Sequence, residues 1–254
     1  MHLPRTITAA IATTAVSLAA LLPAAAAGAS PDARRVTVPT VKVDLSKIKS
    51  ACDVGVSNRT AVLTGLQAAV NVAPGLTDAH RSSLSGEVSS ASSGLQGLKG
   101  QIDAASNLKT LANLCGQIVT TYRVYVLEIP TVHLTIGGDH VVKASNGSMA
   151  RLGKGLDRTI QKMADAGHDV TGLKSLKADF DQQVAAARSA AAPIGDTVLP
   201  LTPAQYNGGS AQGTLSNARN NLATAHLDMS NALTDAGKII DQIESTVGTS
   251  TTTS

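Results

Sequence analysis

Residues 84–105 read LSGEVSSASSGLQGLKGQIDAA, and the spacing of their apolar side chains decides the fold. The apolar positions recur at alternating intervals of four and three residues: Leu84, Val88, Ala91, Leu95, Leu98, Ile102 and Ala105. Such a heptad repeat keeps one stripe of a helix facing its neighbours. The stretch therefore predicts a long amphipathic helix that packs in a bundle or coiled coil.

Similar stripes follow along the rest of the chain. They cover residues 111–129, 152–187 and 215–243. Together they predict an all-α fold, an elongated antiparallel helical bundle or coiled coil of about six helices. The helices are expected near residues 45–73, 77–105, 108–129, 148–166, 169–191 and 211–246.

Turn-forming residues set the boundaries between these helices. Pro74-Gly75 ends the first helix, and Thr77 or Asp78 can cap the second. Asn146-Gly147 predicts a loop, after which Ser148 is expected to cap the next helix. The Pro- and Gly-rich residues 193–209 predict the longest loop.

The stretch 118–136 allows two structures, because it is rich in β-branched and aromatic residues. Val132, Leu134 and Ile136 alternate as in a half-buried strand. The heptad stripe nevertheless runs to residue 129, which favours a helix up to that point, and Pro130 should kink or end it. Residues 130–138 are left open between helix and strand.

The N-terminus has the pattern of a secretory signal peptide at residues 1–29. Arg5 precedes an apolar run at 7–22, and small residues then offer cleavage after residue 26, 27 or 29. The run is shorter than the roughly 18 residues expected of a bilayer span. The mature protein is therefore predicted to be secreted or extracellular, either free or associated with the cell wall.

The remaining chain is predicted to have four parts. Residues 30–44 contain two prolines and no helical period, which indicates an extended linker. A three-helix unit with an irregular end is expected at 45–145, and a second helical unit at 146–247. Residues 248–254 are rich in Ser and Thr and predict a disordered tail.

Cys52 and Cys115 are the only cysteines, and a pair in an exported protein predicts one disulfide. Two buried free thiols are the alternative. If the second helix ran straight on, Cys115 would lie about 27 Å beyond the level of Cys52. A turn at residues 106–107, where the stripe slips, brings the two level. We therefore predict an up-down-up unit with its first and third helices joined by the disulfide.

Composition limits the kinds of partner that the protein could bind. Aromatic residues make up 2% of the chain, Trp is absent, and the net charge is +3 with its basic residues scattered. Few rings are available to stack on sugars or on single-stranded bases. We expect no nucleic-acid partner and no membrane-embedded segment in the mature chain.

Catalytic motifs are missing, and we predict that the protein is not an enzyme. Two S-x-x-K matches, at residues 46–49 and 106–109, lack the K-T-G that accompanies them in wall-acting serine enzymes. The three glutamates, Glu87, Glu128 and Glu244, include no pair distinguished by spacing. No cofactor is expected.

Two groups of residues are candidate sites. Tyr122, Arg123, Tyr125 and Glu128 form a candidate interaction or ligand patch, although both tyrosines could be core residues and Arg123 could pair with Glu128. The second group is a candidate metal site: His133, Asp139 and His140. Its histidines would share a face of a continuous helix. Glycines at 137–138 are expected to interrupt that helix, which favours ordinary loop residues.

Residues 114–139, LCGQIVTTYRVYVLEIPTVHLTIGGD, resemble a segment of uncharacterised secreted helical proteins of actinobacteria. Those proteins share a signal peptide, a Y-R-V-Y-V-L run followed by Pro, and long flanking helices. The resemblance covers about a tenth of the chain in detail. It implies an exported actinobacterial protein and brings no activity, cofactor or catalytic residue with it.

These features predict an exported, non-enzymatic helical module that is structural or binds another protein. Its partner would be an unidentified protein, a cell-wall component or a second copy of the chain. Two alternatives remain: a membrane-active amphipathic helical protein, and a carrier of a small ligand or metal in the bundle core.

Overall fold

The computed structural model describes residues 44–250, with side chains through residue 246, and every regular element in this range is helical. The all-α prediction is confirmed. Predictions for the signal peptide and for residues 30–43 lie outside the described range, as does the tail beyond residue 250. The described residues belong to one compact unit.

Nine α-helices and two π-helical turns make up this part of the chain. The α-helices are α1 Leu45–Val72, α2 Asp78–Ala104, α3 Leu108–Thr120, α4 Ile129–Ala144, α5 Ala150–Asp165, α6 Thr171–Ala191, α7 Ile194–Val198, α8 Pro203–Asn207 and α9 Ser210–Ser250. The π turns are Val124–Glu128 and Ser145–Met149. They join α4 and α5 into one continuous helix over residues 124–165, here called the central helix.

The first three helices begin as side-chain chemistry dictates. Asp44, Thr77 and Asn107 each accept a hydrogen bond from a backbone N–H in the first turn of the helix that follows. These bonds satisfy donors that have no partner within the helix. Each predicted start is therefore found within one residue.

The disulfide between Cys52 and Cys115 joins α1 to α3 across a Cα–Cα distance of 5.6 Å. The predicted turn near residue 106 and the up-down-up arrangement are thus confirmed. Six of the seven quoted heptad positions are buried, and Ala91 packs against the same core. Closing a loop of this length contributes about 4 kcal/mol to stability on the loop-entropy model.

The prediction that the third helix runs to residue 129 is wrong. α3 ends at Thr120, and Arg123 has a left-handed backbone with φ of 37° before the central helix begins. Pro130 does not end that helix. In a regular α-helix the proline ring would clash with the carbonyl four residues earlier. The preceding π turn, in which the Ile129 N–H donates to the carbonyl of Val124, is wider and leaves room for the Pro130 ring.

The strand alternative at 130–138 and the predicted loop at Asn146-Gly147 are also wrong, because both stretches are helical. Ser148 lies inside the second π turn and caps nothing. Gly137 and Gly138 interrupt nothing. A Cβ on Gly137 would lie 2.8 Å from Leu222, and one on Gly138 would lie 3.1 Å from a backbone oxygen. These glycines let α4 approach its neighbours closely.

The C-terminal helices build a second and a third core. α9 packs chiefly against α6, and Phe180 and Ile239 are buried between helices at the α5 end. The predicted loop at 193–209 contains α7 and α8. α9 extends to Ser250, so the first residues of the predicted disordered tail are helical. The predicted boundary at residue 146 falls inside the central helix.

Candidate functional site

A cleft of about 470 Å³ lies where α2, the start of the central helix and the segment after α7 meet. We call it the glutamate cleft. The residues that matter to its chemistry are Glu87, Ser90, Tyr122, Leu127, Glu128 and Thr131, and residues 199–203 form a wall.

The helical stripes explain how two glutamates reach this cleft. Glu87 lies directly before the buried Val88 on α2, at the edge of the stripe that faces the core. Glu128 follows the buried Leu127 and belongs to the first π turn. Single π turns within helices are frequent at functional sites, since they redirect side chains without ending the helix.

Arg123 holds α8, the helix that begins at the end of the cleft wall. Its Nε donates a hydrogen bond of 2.7 Å to Asn207 Oδ1, and its guanidinium stacks 5.1 Å from the ring centroid of Tyr206. Asn207 Nδ2 in turn donates to the carbonyl of Thr120, at the end of α3. These contacts hold α8 against the segment between the end of α3 and the start of the central helix. They also offset the strain of the left-handed Arg123 backbone.

Neither cleft glutamate forms a hydrogen bond or ion pair with any residue in the described range. Burial raises the pKa of Glu87 to about 7. Burial, and then the negative charge of Glu87, raises the pKa of Glu128 to about 7. Loss of solvation and a like charge both disfavour an ionised carboxylate. The described lining contains no Lys, Arg or His.

Thr131 adds a third polar group without a partner. The residue is 3% exposed, and its Oγ1 finds no hydrogen-bond partner within the described structure. Leaving a buried hydroxyl unpaired costs about 1–3 kcal/mol. The cleft thus combines two carboxyl groups and one hydroxyl that the folded chain leaves unsatisfied.

The predicted patch is split by the structure. Tyr122 and Glu128 line the cleft, and the Tyr122 ring lies so close to Gly94 that a Cβ there would be 2.6 Å from it. Arg123 turns to Asn207, so its suggested pairing with Glu128 is wrong. Tyr125 is 45% exposed on another face, 4.9 Å below the guanidinium of Arg59.

The candidate metal residues serve separate contacts. His133 is exposed, and His140 Nδ1 lies 3.3 Å from the carbonyl of Pro74. Asp139 accepts hydrogen bonds from the Thr77 backbone N–H at 2.8 Å and from His80 Nδ1 at 2.9 Å. No group of three or more His, Cys, Asp or Glu that could hold a metal occurs among the described residues.

His80 completes a second polar cluster that sequence reasoning missed. Its Nε2 lies 3.1 Å from Asp196 Oδ1, so the ring bridges α4 and α7. We call His80, Asp139, Asp196 and Thr77 the His80 clasp. Nothing in the local sequence around His80 marks it, because its two carboxylate partners lie 59 and 116 residues away.

Glu87 was missed for the same reason. It is one of only three glutamates, and its position beside the α2 stripe is the one sequence signal that could have drawn attention to it. Its relation to Glu128 depends on how α2 packs against the central helix. Spacing along the chain carries no trace of that packing.

No protein-family model, curated protein or solved structure matches this chain. Within residues 44–250, no helix is both long and apolar enough to cross a membrane. The fold and the glutamate cleft define the class: an all-α bundle joined by a disulfide, with a cleft that combines two glutamates with apolar walls.

Proposed function

We propose that this protein is an exported, non-enzymatic binding module, and that the glutamate cleft receives its ligand or partner. The observation that carries the proposal is the set of unsatisfied polar groups in the cleft. Buried polar groups are almost always paired in folded proteins, and the Thr131 hydroxyl is buried without a partner in the described chain, whereas the two half-buried glutamates line the open cleft. A group from outside the chain would supply the missing partners.

The surroundings of the cleft suit a preformed binding site. The disulfide holds α1 against α3, the Arg123–Asn207 contact holds the wall, and the His80 clasp holds α2 against the central helix. Binding to a preformed site avoids the entropy cost of ordering it. Rigid helices, rather than long loops, carry both glutamates.

Binding is favoured over catalysis by the contacts of the carboxyl groups. Neither cleft glutamate is hydrogen-bonded to a hydroxyl or thiol of the described chain, the contact through which a base activates a nucleophile. Export is supported by the signal-like pattern of residues 1–29 and by the disulfide, which suits an oxidising compartment.

Site-specific photo-crosslinking in producing cells tests the binding region. A photoreactive residue at Ser90, an exposed position on the cleft rim, should form adducts seen as a mass shift of the mature protein. The same residue at the exposed Ser230 on α9 is the control and should form none. Equal labelling at both positions, or none at Ser90, would contradict the proposal.

Cell fractionation with intact-mass measurement tests the location. The mature protein should occur outside the cytoplasm, in the wall or the medium, and begin after residue 26, 27 or 29. Full-length protein that stays in the cytoplasm with both thiols free would contradict export.

A further inference from the structure

The charge lining the glutamate cleft has a single sign. Glu87 reaches it from α2 and Glu128 from the central helix, and the described lining holds no basic residue to balance them. A carboxylate pair of this kind is stabilised most by a cation placed between the two groups. A positively charged group from outside the chain is therefore the partner that would most favour the ionised form of both glutamates.

The number of hydrogen-bond acceptors in the cleft favours an ammonium group over a metal cation. The cleft is lined by two glutamates and by Thr131, whose hydroxyl is buried and has no partner in the described chain. A primary ammonium group has three N–H donors and no acceptor, so it can donate one hydrogen bond to each. Ca²⁺ instead requires six to eight oxygen ligands.

The walls of the cleft indicate the chemistry of the rest of the ligand. Leu127 and the residues Leu199, Pro200 and Leu201 are apolar, and the cleft volume of about 470 Å³ exceeds the size of an ammonium head. An apolar stem attached to the head would contact these residues. Burial of each methylene would contribute about 0.8 kcal/mol.

We propose that Glu87, Glu128 and Thr131 bind a primary ammonium group carried on an apolar stem. The proposal rests on the proposed function and names the ligand class of that same cleft. A free alkylamine and the lysine side chain of another protein present this chemistry equally, and the experiment below separates the two sources.

Protons compete with the ligand for the carboxyl groups. Glu87 and Glu128 both line the cleft, and the charge of Glu87 acts on Glu128. Tyr122, whose pKa is raised by burial, is the other titratable side chain of the described lining. A bound ammonium favours the ionised glutamates, so binding near pH 7 releases protons. Affinity should rise between pH 6 and pH 8.

Calorimetry on the full mature chain with its disulfide intact tests the proposal at pH 8. Hexylamine should bind, and hexanol, with the same stem and no charge, should bind at least tenfold more weakly. Glu87→Gln and Glu128→Gln should each weaken hexylamine binding about tenfold, and Thr131→Val should weaken it more than Thr131→Ser. Glu244→Gln is the matched control, since Glu244 is exposed on α9, and should leave binding unchanged.

The source of the ammonium is read from a second pair of probes. Nα-acetyl-lysine amide binding as tightly as hexylamine, with loss on Nε-acetylation, supports a lysine of a partner protein. Hexylamine binding at least tenfold tighter supports a free amine. In either case binding should release protons, which calorimetry detects because the measured binding enthalpy then changes with the ionisation enthalpy of the buffer.

Three results would overturn the proposal: equal binding of hexanol and hexylamine, amine binding that survives both glutamine substitutions, or tighter binding of Ca²⁺ than of amines by the same residues. If adducts at Ser90 persist while no amine binds, the ligand class is wrong and the binding function stands. If neither is seen, both proposals fail.

Discussion

Two polar clusters lie between α2 and the central helix, and they are built in opposite ways. The His80 clasp lies at the start of α2, and the glutamate cleft lies two turns further along the same helix. In the clasp, a histidine is shared by two carboxylates and Asp139 also accepts a backbone N–H. In the cleft, two carboxyl groups and a hydroxyl have no partner in the described chain.

The charge states of the two clusters reflect this difference. Burial lowers the pKa of His80, but hydrogen bonds to Asp196 and Asp139 outweigh it, so the pKa is raised above its usual value. The clasp favours its charged form, whereas the cleft favours neutral carboxyl groups. A cluster that completes its own contacts stabilises the fold, and one that leaves them open is available to bind something else.

Both clusters have the same sign of pH dependence. A raised histidine pKa stabilises the fold fully below about pH 6.5, and this contribution is lost as the pH rises through the folded-state pKa. A raised glutamate pKa likewise stabilises the fold at low pH, because the folded state holds protons that the unfolded chain releases. The free energy of unfolding should therefore fall from about pH 5 to pH 8 through both clusters.

Removing the shared carboxylate of the clasp should have the largest effect. Asp139→Ala leaves the Nδ1 of the half-buried His80 ring and the Thr77 N–H without their partner, and we expect a loss of about 3 kcal/mol in the free energy of unfolding. Urea unfolding at pH 6 measures it. Asp179→Ala, at an exposed position on α6, is the control and should change stability by less than about 0.5 kcal/mol. Similar losses of stability in both variants would show that the His80 clasp does not stabilise the fold specifically.

Neutralising the cleft should have the opposite sign. Glu87→Gln combined with Glu128→Gln should raise the free energy of unfolding at pH 8 by about 1–3 kcal/mol, after allowance for partial exposure. The gain should disappear near pH 4.5, where the native glutamates are already protonated in the folded state. Urea unfolding at the two pH values measures this, with Glu244→Gln as control. A loss of stability at pH 8 would show that the cleft carboxylates are satisfied after all.

A smaller effect tests how closely the clasp is packed. A Cβ on Gly195 would lie 2.8 Å from His80 Nδ1, so Gly195→Ala should displace the ring and lower the free energy of unfolding by about 1 kcal/mol. Gly97→Ala on α2 meets nothing within 4 Å and should raise it by up to about 1 kcal/mol through helix propensity. Thermal unfolding of the two variants compares them, and a stabilised Gly195→Ala would contradict the tight contact.

The sequence predicted well where one local pattern acted alone. The α2 stripe, the cap at Thr77 and the turn near residue 106 led to the three-helix unit and its disulfide, all confirmed. Prediction from sequence failed between residues 121 and 150, where the local turn- and strand-forming residues point to a structure that tertiary packing overrides. The glycines at 137–138 look like a break, yet they are needed where α4 touches its neighbours.

Heptad spacing, capping residues and cysteine separation determined the all-α class, most helix bounds and the covalent staple, because each acts over a few turns of helix or through chain length alone. Tertiary structure alone decided that Arg123 has a left-handed backbone, that Pro130 lies within a helix, and that Glu87 and Glu128 line the same cleft. These outcomes depend on contacts between residues far apart in the chain. Electrostatic environment is set by burial and by neighbours in space, so the glutamate cleft exists only once α2 and the central helix are packed together.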